Sequence, residues 1–219
     1  MISQDVLLGL LSLASGGTDA LSFYALGVFT SAMTGNTVLF GLSLGKGRLA
    51  DASDPLIAFA AYGVGVMFAS LFGVTTAPAA EERRPVRRAL LAETVMLGIF
   101  AGVWVARVEL PVSTALARAL IPMAGIAMGL QAAIAGKQNR PGINTVVFTS
   151  TLTAIVGALT DAARGRKRLH LDTIRQIAAF SLYLASAAGT GWLASHDVTL
   201  AAVPPFAWVV LALGVAMRR

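Results

Sequence analysis

The chain has 219 residues, of which 56% are hydrophobic and 13% charged, and its mean hydropathy is +0.74. A soluble domain carries roughly 25% charged residues, so this composition excludes a soluble enzyme or binding module and points to an all-α integral membrane protein. The net charge of +6 gathers between apolar blocks, at Arg83, Arg84, Arg87, Arg88 and at Arg164, Arg166, Lys167, Arg168; this is the pattern of cytoplasmic loops beside lipid, not of a nucleic-acid partner.

Apolar blocks run over about 6–26, 28–45, 55–77, 89–107, 115–136, 143–163, 173–194 and 200–217. A bilayer core of about 30 Å takes about 20 helical residues. The first block follows Met1-Ile2-Ser3-Gln4-Asp5, which has no basic leader region, and reads as a retained span. Deep inside it lies Asp19, within Gly16-Gly17-Thr18-Asp19-Ala20. An ionisable residue inside a span is costly and is by default a functional one: a proton carrier, a cation ligand, or a partner for Lys137 or Arg140.

The second block opens with Met33-Thr34-Gly35-Asn36-Thr37-Val38-Leu39-Phe40. From Asn36 to Gly45 the chain reaches only about 15 Å as a helix, half a crossing. The basic loop 78–88 follows the third block. Glu93 comes one turn into the fourth, after Arg87 and Arg88, and reads as a surface ion pair. The fifth block ends in the polar residues Gln131, Lys137, Gln138 and Asn139. The sixth opens with Pro141-Gly142-Ile143-Asn144-Thr145-Val146-Val147-Phe148, a near copy of the motif in the second. From Asn144 to Ala163, however, it is long enough for a full span.

Aligning the two Asn-Thr motifs divides one transmembrane domain, 1–219, into repeats of about 1–109 and 110–219. Two arrangements compete. In one, all eight blocks cross. In the other, six cross and blocks two and six are discontinuous or half-helices. With six crossings, all but four of the 17 Lys and Arg residues fall on the side of the N-terminus, the exceptions being Lys46, Arg48, Arg107 and Arg118. The bias of Lys and Arg toward the cytoplasm favours this arrangement, with both termini cytoplasmic and the halves inverted. Trp104 and Trp192 then both fall at the outer interface.

Asn and Thr are good helix caps, and a Gly before them permits a sharp turn. Helices starting at Asn36 and Asn144 inside the membrane would aim their N–H groups at a central cavity and suit an anion or a carboxylated solute. Weak internal symmetry with interrupted hydrophobic segments is also how transporter binding sites show in sequence. The candidate substrate-binding set is therefore Asp19, Thr34, Gly35, Asn36, Thr37, Gln131, Lys137, Gly142, Asn144 and Thr145. The competing reading is that these polar groups join helices by hydrogen bonds. With no cysteine, and with His170 and His196 far apart, no metal site, cofactor or catalytic constellation is expected.

Asp19-Ala20-Leu21-Ser22-Phe23 followed by Met33-Thr34-Gly35-Asn36-Thr37-Val38 resembles the first-half signature of the YoaK-like bacterial membrane proteins (DUF1275). Gly129-Leu130-Gln131-Ala132-Ala133 and the Asn144-Thr145 pair resemble its second-half counterpart. The resemblance implies about six spans in the bacterial inner membrane, and it carries neither a substrate nor a catalytic residue. Three functions compete: a small secondary transporter or channel-like permease coupled through Asp19, a non-transporting scaffold or accessory protein, and a lipid-modifying enzyme, for which no constellation is found. The expected partners are the lipid bilayer and a small solute or ion. Gly-x₃-Gly pairs at 41–45, 98–102 and 125–129 offer faces for close helix packing or a homodimer.

Overall fold

A computed structural model describes residues 2–78, 83–106, 114–137, 148–166 and 168–218. They form eight α-helices: α1 (Ile2–Leu26), α2 (Met33–Gly45), α3 (Leu49–Leu71), α4 (Arg83–Ala106), α5 (Thr114–Lys137), α6 (Phe148–Ala163), α7 (Leu171–His196) and α8 (Val203–Met217). A short 3₁₀ turn, Leu200–Ala202, leads into α8, and no strand occurs among the described residues.

Among the described residues, six helices are long and apolar enough to cross a membrane, namely α1, α3, α4, α5, α7 and α8 with its 3₁₀ turn. The other two are shorter over their described residues. The 13 residues of α2 reach about 20 Å and the 16 described residues of α6 about 24 Å, less than a hydrocarbon core of about 30 Å. Two tertiary contacts agree with six crossings. The Arg87 guanidinium sits 2.9 Å from Met217 Sδ, and Trp104 Nε1–H donates to the Val198 carbonyl at 2.7 Å. With eight crossings, each of these pairs would be split across the bilayer.

The element bounds differ from the apolar blocks in instructive ways. α3 begins at Leu49 and takes Pro55 into its body; the polar stretch before Pro55 is helical and not a linker. It ends before Gly73, whose φ of +86° a glycine adopts without strain. The second block is not helical from 28 onward. Gly27, at φ +69°, turns the chain out of α1, and the connector 28–32 is irregular until α2 begins.

α1 and α5 are the innermost helices. α1 packs on α7 and α8, and α5 packs on α3 and α4; α2 lies against α3, and α6 against α7. α4 also packs on α8, and α1 on α5. Exchanging α1–α4 with α5–α8 maps these contacts onto themselves. Two of the three closest approaches obey the same exchange. A Cβ at Gly16 would meet the Tyr183 carbonyl oxygen, and one at Gly129 would meet the Tyr62 carbonyl oxygen. Among the expected Gly-x₃-Gly pairs, only Gly125 and Gly129 both sit against another helix, namely α3, while Gly41 and Gly45 face open space.

Hydroxyls inside the spans turn back onto their own helices, Ser12 to Leu8 O, Thr18 to Ala14 O and Thr94 to Leu90 O. That satisfies polar groups that lipid could not. Trp104 is at the expected end of the molecule but wholly buried, so it packs within the bundle; Trp192 is exposed.

Candidate functional site

Asp19 sits on the inner face of α1, 2% exposed. Its Oδ1 accepts from Thr30 N–H at 2.8 Å, from Thr30 Oγ1–H at 3.2 Å and from Ser31 N–H at 2.7 Å. Its Oδ2 accepts from the Ser31 hydroxyl and from Tyr183 Oη–H at 2.9 Å. Ser31 Oγ in turn accepts from Ser15 Oγ at 2.9 Å. All five bonds are donated to the carboxyl group, and a carboxylate that only accepts is the form such a shell solvates best. No cation pairs with it among the described residues.

The same connector is held from the other side by Asn36. Phe29 N–H donates to Asn36 Oδ1 at 2.9 Å, and Asn36 Nδ2–H donates to the Phe29 carbonyl at 2.5 Å. Asn36 is therefore not the start of a helix. α2 begins three residues earlier, at Met33 with Ala32 as its N-cap, and Asn36 reaches back from the first turn. Gly35 is required here because a Cβ would lie 2.7 Å from the Phe29 ring, which stacks on Phe23 with centroids 4.5 Å apart. The first N–H groups of α2 bond nearby carbonyls, Met33 to Ser31 O and Gly35 to Ala32 O. Two of the connector's amides, those of Thr30 and Ser31, are taken by Asp19, so the place foreseen for a solute anion is filled by the protein's own carboxylate.

The remaining candidates are dispersed. Thr34 and Thr37 are exposed, with Thr37 Oγ1 bonded to Met33 O. Gln131 is fully buried, and its Nε2–H donates to Leu11 O at 2.9 Å. That level lies eight residues, roughly 12 Å, along α1 from Asp19. Lys137 is farther still, at the end of α5, where Nζ donates to Ala77 O at 2.6 Å; it does not pair with Asp19. Arg140, Gly142, Asn144 and Thr145 lie outside the described residues.

Sequence reasoning missed Ser15, Thr30, Ser31 and Tyr183. Ser15, Asp19 and Ser22 recur at helical spacing along one face of α1, a signal that was available. Tyr183 comes from α7 and had none. Glu93, expected in a surface ion pair, is 0% exposed, and both its carboxyl oxygens are without a partner. Arg87 contacts Met217 instead, and Arg88 is exposed. At the N-terminal side of the bundle, Arg175 bridges Asp5 and Asp172 at 3.0 Å each. No three His, Asp or Glu side chains cluster to hold a metal ion among the described residues.

Comparison with known proteins agrees with this architecture. The profile of a family described as "Protein of unknown function (DUF1275)" matches residues 7–217. The chain is 32% identical over 188 residues to the UPF0700 transmembrane protein YoaK of Bacillus subtilis (strain 168), covering 84% of this chain and 81% of that one. No solved structure matches.

Proposed function

The chain belongs to the DUF1275 family of multi-spanning membrane proteins, and from that premise we propose that it is a small secondary transporter or channel-like permease, with proton or cation coupling through Asp19. The observation that carries this reading is the latch itself. A buried carboxylate with no counter-cation among the described residues holds, by hydrogen bonds, the irregular connector in front of a helix too short to cross. Protonating Asp19, or placing a cation on it, weakens that hold, because a neutral carboxyl accepts more weakly. One bound ion is thereby converted into release of residues 28–31. Interrupted helices beside an ionisable group are the usual construction of a carrier site.

The packing exchange between α1–α4 and α5–α8 supports two repeats, about 1–109 and 110–219, in inverted orientation. The charge bias supports the inner membrane with both termini cytoplasmic. The reading gives the protein no catalytic role. A solute anion has less support than a proton or cation, since Asp19 occupies the Thr30 and Ser31 amides.

The test is flux in proteoliposomes. Acidification of a trapped pH dye, driven by an imposed gradient and by a panel of small carboxylates and cations, is expected with wild type and lost with Asp19→Asn. Absence of any flux under both gradients would sink the transporter reading. A second reading, a non-transporting scaffold, draws on the same shell, because five donors leave Asp19 nothing further to bind. It predicts that Asp19→Asn changes stability and no flux.

A further inference from the structure

Glu93 is the one described carboxyl whose two oxygens are both buried and both without a hydrogen-bond partner. It lies mid-way along α4, in register with the inward residues Val86, Leu90, Leu97 and Trp104. Its level in the bundle follows from the packing around it. Leu90 shares an apolar cluster with Ile134 of α5, and Leu97 shares the next cluster with Ala127. α4 and α5 pack together and run antiparallel, since Trp104 clusters with Leu120 at the other end. One turn inward from either pair reaches Glu93 on α4 and Gln131 on α5. Gln131 carries the complementary defect: its Nε2 is bonded to Leu11 O, while its Oε1 is buried and has no donor.

An ionised carboxylate stripped of water, donors and cations is among the costliest groups a fold can hold. A protonated one needs an acceptor, and an unused acceptor stands at its own level. We propose that Glu93 is a proton-binding site in the membrane interior, with the carboxylic acid O–H donating to Gln131 Oε1 among α1, α4, α5 and α8. The site is separate from Asp19 and does not depend on the transport reading. The chemical class of its ligand is the proton. Ionisable residues facing the interior of a membrane bundle are where proton relays are built.

Infrared spectroscopy of the purified protein in liposomes tests this. At neutral pH a protonated-carboxyl C=O band is expected that moves on transfer to D₂O, disappears entirely in Glu93→Gln and persists in Asp19→Asn. In Gln131→Leu it shifts upward, as for a carboxyl that has lost its acceptor. A carboxyl region unchanged by Glu93→Gln overturns the protonated state. A band that stays put in D₂O overturns an exchanging site, and one unmoved by Gln131→Leu overturns the pairing. Folding provides an independent check. A neutral Glu93 is closely matched by Gln, so Glu93→Gln keeps the wild-type melting temperature; a large drop reveals a charge with a counter-ion and sinks the proposal.

Discussion

Asp19 and Glu93 are both buried acids inside membrane spans, and the protein treats them in opposite ways. Around Asp19 it spends two backbone amides and three hydroxyls. At Glu93 neither carboxyl oxygen has a donor among the described residues. Depth in the membrane thus does not decide what a carboxyl does; the donors within reach do. Asp19 can act as an anchor for the connector because its shell suits a charge. Glu93 has a shell suited to a neutral acid.

The strongest way to break this contrast is Asp19→Ala. It leaves the Thr30 and Ser31 amides without an acceptor, at about 1–3 kcal/mol each, read as a large drop in melting temperature in detergent. Asn36→Ala removes the double bond to Phe29 from the other side of the same connector. It should cost about 1–3 kcal/mol and expose residues 28–31 to cysteine labelling, for which the cysteine-free chain gives no background. Tyr183→Phe takes a single donor from Asp19 and should cost about 1.5 kcal/mol. Glu93→Gln, the same acid-to-amide change that disturbs Asp19, should fall within about 0.5 kcal/mol of wild type. If Glu93→Gln proves as damaging as Asp19→Ala, the two sites are alike and the contrast fails.

Charge bias, a property of the linear chain, favoured the six long apolar helices before the structure, whereas block length left the choice open because block six read as a full span. Asp19 was legible as well: it interrupts a long apolar run. What could not be read was where side chains reach. Asn36 has the composition of a helix cap, but the path of residues 28–32 puts the Phe29 backbone beside it, and that path depends on Asp19 and Tyr183 from other helices. Lys137 looked close to Asp19 because both flank motif residues; the helices carry them to different ends of the bundle. Glu93 was misread because Arg87 and Arg88 precede it by a turn. Its register with Val86, Leu90, Leu97 and Trp104 held the better signal, but in a helix apolar on most sides register alone does not tell lipid from core.

The two glycine–tyrosine approaches have a mechanical consequence. At Gly16 against Tyr183 and at Gly129 against Tyr62, main chain rests directly on main chain. There is no cushion of side chains between α1 and α7, or between α5 and α3, at these points. Each pair packs as a single beam. The two beams meet where α1 packs on α5. The Asp19–Tyr183 bond lies within one beam, whereas Gln131, bonded to Leu11 O, reaches across the line where the two beams meet.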